Sequence, residues 1–115
     1  MMMQNNEEKY KGWTNDVEYA FEWTEGFLIQ NGSGKIITNT DYSITDYKPC
    51  NGASRIDIEW TDYCSCGFYD ENKNTISTAY TNPNVSSIAV PAGAQYIMFC
   101  SRTAVKENQH ATPYE

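Results

Sequence analysis

The sequence is poor in histidine and in positive charge. It has one histidine, His110, and 8 lysines and arginines in 115 residues. A Ser-His-Asp or Cys-His triad would have to take its base from His110, which lies in a polar stretch near the end of the sequence. Against 15 aspartates and glutamates, the few basic residues leave a formal net charge of −7. That sign repels phosphate backbones and excludes a general nucleic-acid binder. No apolar run reaches the roughly 18 residues of a membrane-spanning helix, so no membrane partner is expected. Also missing are a glycine-rich loop ending in Lys-Ser or Lys-Thr, a dinucleotide fingerprint and a dense D-x-D-x-D-G calcium loop. The opening residues, Met1 to Glu8, are polar and acidic, without a basic n-region or an apolar h-region. The expectation is therefore no secretion signal.

What the chain does hold is enough apolar residue, 40%, for one core, and an aromatic share of 14% with nine tyrosines and three tryptophans. The length suits a single domain. Cys64 and Cys66 are two apart and share a strand face, while Cys50 and Cys100 stand alone. One C-x-C is not the pair of C-x-x-C knuckles of a zinc ribbon. Buried reduced thiols are the first reading; a metal site and a disulfide are the alternatives.

Alternation of period two dominates. Ile56, Ile58 and Trp60 share one face of a segment whose other face is Arg55, Asp57, Glu59 and Thr61, which predicts a half-buried antiparallel strand. Cys64, Cys66 and Phe68 are in phase on the next strand, and Asp70 to Asn74 reads as the turn to a return strand over Thr75 to Tyr80. Two apolar runs around Asn31-Gly32-Ser33-Gly34 predict an earlier hairpin. Tyr42 to Cys50, Ser86 to Val90 and Gln95 to Cys100 complete the set. Strands recurring about every ten residues predict an all-β, antiparallel two-sheet sandwich of about eight strands. Trp60 is placed in the core, and Trp23 at one end as a plug. Ahead of the sandwich, Tyr10, Trp13, Val17 and Phe21 fall at spacings of three and four. They form the stripe of a short arm or helix, either packed on the sandwich or docked to a partner or a second copy. The boundaries read as arm 1–22, sandwich 23–103 and a loose polar tail 104–115.

Four blocks in order carry a resemblance. Trp23-Thr24-Glu25-Gly26-Phe27-Leu28-Ile29 with Gly34-Lys35-Ile36-Ile37 is similar to an opening W-x-x-G-x-x-I … G-x-I hairpin. Thr45-Asp46-Tyr47-Lys48-Pro49-Cys50 is similar to T-D-Y-I-P-V. Gly67 to Ser77 resembles x-F-Y-D-x-N-K-x-x-I-S, and Val90 to Phe99 resembles V-P-x-G-A-x-Y-I-R-F. Together they resemble small jelly-roll, carbohydrate-binding-module-like domains of bacteriophage tail-fibre, baseplate and other virion proteins and of gut-bacterial surface proteins. The likeness spans Trp23 to about Arg102 and consists of core and turn residues, so it speaks to the fold more than to a ligand. Lys48 and Cys50 depart from it, standing where the pattern has Ile and Val. Cys50 serves as a small hydrophobe, whereas a bare buried ammonium is costly. Lys48 therefore belongs on an edge strand or snorkels outward.

Sugars present apolar C–H faces rimmed by hydroxyls, so a sugar site pairs exposed aromatics with polar groups. Tyr63, Tyr69, Tyr80 and Tyr96 fall out of phase with the inward residues or at strand ends, and Arg55, Asp57 and Glu59 supply a polar face. These are the candidate ligand contacts. The competing reading has the tyrosines covering the sandwich surface and capping its ends. Asp57 and Glu59 with Asp62 or Asp70 are the only calcium candidates, and the spacing does not favour them. No catalytic residue, metal or cofactor is expected. The resemblance implies a non-catalytic virion surface component whose partners are other virion proteins, copies of itself or a surface polysaccharide. The alternatives are a purely structural assembly protein and a stand-alone bacterial module at the cell surface or in the cytoplasm.

Overall fold

Residues 16–115 are described in the computed structural model, and they are all-β apart from one short 3-10 helix, Thr103–Asn108. The strands are β1 (Trp23–Ile29), β2 (Ile36–Thr45), β3 (Lys48–Pro49), β4 (Arg55–Glu59), β5 (Cys64–Tyr69), β6 (Thr75–Thr81), β7 (Ser87–Ala89), β8 (Tyr96–Met98), β9 (Cys100–Arg102) and β10 (His110–Tyr114). They form three antiparallel sheets, ordered β1-β2-β9, β3-β8-β5-β6 and β10-β4-β7. The all-β, antiparallel character is as read from the sequence, and the described strands number ten in three sheets where about eight in two were expected.

Two apolar clusters hold the sheets together. One joins Ile56, Ile58, Ile88 and Ala111 of the β10-β4-β7 sheet to Cys66, Phe68 and Ile97 of the β5-containing sheet, with Trp60 and Phe99 between them. The other joins Ile29 and Ile44 of the first hairpin to Cys64, Tyr69, Met98 and Cys100. Each large side chain so buried contributes about 1.5–3 kcal/mol. The middle strand β5 is buried along its whole length, on both faces. Phe99 marks the change of sheet between β8 and β9. Its N–H donates to Thr45 Oγ1 (3.0 Å), and its carbonyl accepts from Thr45 N–H (3.0 Å), so the crossing leaves no backbone group bare. Trp60 stacks on Phe99 with ring centroids 5.1 Å apart and donates its indole N–H to the Cys100 carbonyl at 3.1 Å.

The arm, read as extended or helical, forms no helix over its described part. Tyr10 and Trp13 lie outside the described residues. Asp16 and Tyr19 donate backbone N–H groups to the Pro113 and Ala111 carbonyls, so this segment runs extended beside β10. Phe21 packs into the core, 5.2 Å from Phe99 and 5.3 Å from Trp23 between ring centroids, while Val17 is exposed. Tyr19, Phe21 and Trp23 alternate with exposed Ala20 and Glu22. That period of two prevails over the spacings of three and four, because the segment has few strong helix formers and a sheet edge to join.

The expected loose tail is a strand. β10 pairs with β4 over five residues, with Ala111 and Pro113 turned inward. Pro113 is tolerated because its missing donor would face the outer edge, the side on which its carbonyl accepts from Asp16. Buried Gln109 locks the approach to β10, donating to Ser101 Oγ (3.0 Å) and Thr61 Oγ1 (3.2 Å) and accepting from Thr61 N–H (2.8 Å). Lys48 lies on edge strand β3 with its ammonium 3.1 Å from Asp46. All four cysteines are buried free thiols. Burial pushes the Cys50 and Cys66 thiols up to about 12.

Candidate functional site

The seven candidate ligand residues do not form one face. Tyr69 is buried, only 2% exposed, and donates its hydroxyl to the Gly34 carbonyl at 2.9 Å. Desolvation raises its pKa well above the usual tyrosine value. Its ring folds back over Gly67, where any Cβ would collide with it. Tyr96 is half-buried opposite Tyr69 and packs edge-on to Tyr47, with ring centroids 5.8 Å apart. Lys73 roofs this pair, its ammonium 5.2 Å from the Tyr47 ring centre and 5.3 Å from that of Tyr96. Tyr69 and Tyr96 are therefore part of the fold's own packing. The Asp70–Asn74 turn that carries Lys73 is tied by Asp70, whose carboxylate accepts from the N–H groups of Asn74 (2.9 Å) and Asn72 (2.8 Å), which lowers its pKa.

Arg55, Asp57 and Glu59 do face outward from β4, but none of them lines the groove of the exposed tyrosines. Arg55 is engaged by Asp57 at 3.1 Å and stacks its guanidinium 4.5 Å over the Tyr114 ring. Asp57 and Glu59 border a shallow depression of about 420 Å³ with Glu18, Ser86 and His110. His110 sits 2.6 Å from Glu18, and that carboxylate raises its pKa. Asp57, Asp62 and Asp70 are not drawn together. Among the described residues no group of three or more His, Cys, Asp or Glu is placed to hold a metal ion.

Among the described residues Tyr63 and Tyr80 are the exposed rings, 66% and 62% accessible, and they line one groove of about 460 Å³. That volume lies in the range of small-ligand sites. Tyr80 on β6 stands opposite Ser65 on β5, and Tyr63 immediately precedes β5. The opposite wall comes from the first hairpin, through Leu28, Gln30, Asn31 and Ile37. Its loop is pinned onto β6. Asn31 Nδ2 donates to Tyr80 Oη (2.9 Å), Asn31 Oδ1 accepts from Thr78 Oγ1 (3.2 Å) and Ser65 Oγ (3.3 Å), and Gly32 N–H donates to Thr78 Oγ1 (2.8 Å). Gly34 lets the loop close, for at φ 70° its place beside Thr75 leaves no room for a side chain. Thr81 Oγ1 on the same groove is buried and has no hydrogen-bond partner among the described residues.

The groove offers flat aromatic faces, aliphatic flanks and amide and hydroxyl groups, which suits stacking and hydrogen bonding. Cys64 also lines the groove, and its pKa is raised by the hydrogen bond with Cys100 and by burial. Asn31, Leu28 and Ile37 were not among the residues picked out from sequence. Their only signal was the Asn-Gly-Ser-Gly connection, which marks a hairpin but not what it folds against. No protein-family model, curated protein or solved structure matches this chain.

Proposed function

We propose that the chain is a non-catalytic virion surface component that attaches to a glycan through the Tyr63–Tyr80 groove. On this reading its three sheets are an elaborated jelly roll of the carbohydrate-binding-module type. The observation that carries the reading is the pairing of two exposed tyrosine rings with the Asn31 and Gln30 amides in one groove. A pyranose ring stacks its C–H face on such a ring while its hydroxyls meet amides at the rim. A small open groove of this kind binds weakly, at a Kd on the order of 1 mM to 0.1 mM. Copies displayed together on a particle would raise this by avidity. The surrounding partners would be other virion proteins or copies of the chain.

The test is a glycan array probed with the purified chain in multivalent form, followed by titration of the hits. Tyr63→Ala and Tyr80→Ala should each weaken binding by about fivefold or more. Tyr63→Ala should leave the melting curve in place, and Tyr80→Ala should lower it only slightly, because it removes the single hydrogen bond from Asn31. An array without a hit, or hits unmoved by both substitutions, overturns the proposal.

A further inference from the structure

We infer that the groove selects neutral glycans and rejects those carrying carboxylate, phosphate or sulfate groups. The inference rests on the glycan-binding reading and narrows it. Among the described residues lining the groove none carries a formal charge: beside the two tyrosines the lining is Leu, Ile, Gln, Asn, Ser, Thr and Cys. An anion entering such a lining would lose hydration with no cation to replace it. The nearest charge along the chain is of the wrong sign. Asp62 adjoins Tyr63, and its carboxylate accepts from the Tyr63 N–H at 2.8 Å and from the Arg102 N–H at 2.9 Å. The Arg102 guanidinium, 3.9 Å from Asp62, borders a separate depression with Asp41 and Tyr42. The chain's net charge of −7 adds a repulsive field for polyanions. For a neutral sugar the same features carry no penalty. Leu28 and Ile37 offer flanks for its apolar edges, and the remaining amide N–H groups of Gln30 and Asn31, whose oxygens are engaged by Ser33, Ser65 and Thr78, are left to donate to its hydroxyls.

The experiment measures binding of the full chain to two sets of polymers. Dextran, galactomannan and chitooligosaccharides are neutral; alginate, polysialic acid and a teichoic acid are anionic. Each is titrated at low and at high salt. Binding to one or more neutral polymers, unchanged by salt and at least about tenfold tighter than to any anionic one, supports the inference. Gln30→Lys, which adds a cation to the exposed wall, should then narrow that gap by admitting the anionic set. Anionic polymers that bind as tightly as the neutral ones, or a gap that Gln30→Lys leaves untouched, overturn the inference while the glycan-binding reading stands. Binding to neither set, at high protein concentration and across the array, overturns the reading itself.

Discussion

Replacing Gly67 by alanine pits two effects of opposite sign against each other. Gly67 lies inside β5, and alanine in a strand is ordinarily better than glycine by about 0.5–1 kcal/mol. Here the new methyl would sit 2.6 Å from Tyr69 Cζ and 2.9 Å from Tyr69 Cε2, both ring atoms of a residue 2% exposed. The ring cannot swing away freely, because it packs edge-on against Tyr47 at 5.2 Å and its hydroxyl holds the Gly34 carbonyl. Overpacking of this kind costs about 1–3 kcal/mol, and losing the hydrogen bond costs about 1 kcal/mol more. The expected net is a loss of roughly 1–3 kcal/mol, or a fall in Tm of roughly 4–12 °C. Urea unfolding followed by tryptophan fluorescence measures it. The sharper readout is a cycle with Tyr69→Leu, which removes the ring. In that background Gly67→Ala should be neutral or stabilising, giving a coupling of about 2 kcal/mol. A rise in stability for Gly67→Ala alone, or additive effects in the double variant, would refute the claim that Gly67 is glycine to make room for Tyr69.

Three further outcomes are expected. The His110–Glu18 pair raises the His110 pKa above its ordinary value of 6.5 in the folded chain. Its contribution is therefore full below about pH 6.5 and fades as pH rises through the raised value. The stability difference between wild type and His110→Gln should shrink from about pH 5.5 to about pH 9, and a pH-independent difference would contradict the pairing. Lys73→Ala removes the cation over Tyr47 and Tyr96 while keeping a side chain at φ 67°. It should cost about 0.5–1 kcal/mol, with Lys73→Arg close to wild type in the same melts. Deleting residues 109–115 removes β10 and the Gln109 lock and bares Ile56 and Ile58. The shortened chain should lose its cooperative melt and its dispersed amide spectrum, whereas a truly loose tail would come off without effect.

Local pattern was enough for much of this protein. The alternation around Ile56, Ile58 and Trp60, the hairpin at Asn31–Gly34 and the turn at Asp70–Asn74 are each written in residues that touch one another along the chain, and each is found where it was read. The same reading failed at Val17 and Phe21, at 104–115 and at Tyr69 for a shared reason. A stripe, a polar stretch or an out-of-phase tyrosine takes its role from a distant partner: Phe21 from Phe99, β10 from β4, Tyr69 from Gly34.

The candidate site divides in the same way. That Tyr63 and Tyr80 lie outside the apolar phase was visible in the sequence, because strand periodicity dictates which side chains share a face. That they share a groove with Asn31 and Ile37, and not with Arg55, Asp57 and Glu59, was not. Asn31 and Tyr80 are 49 residues apart, and only the closure of the first hairpin over β6 brings them together. Sequence alone therefore determined an acidic, aromatic-rich, all-β chain. Which aromatic rings meet solvent, and beside what, was decided by how three sheets pack around Phe99 and by a loop that only glycine lets close.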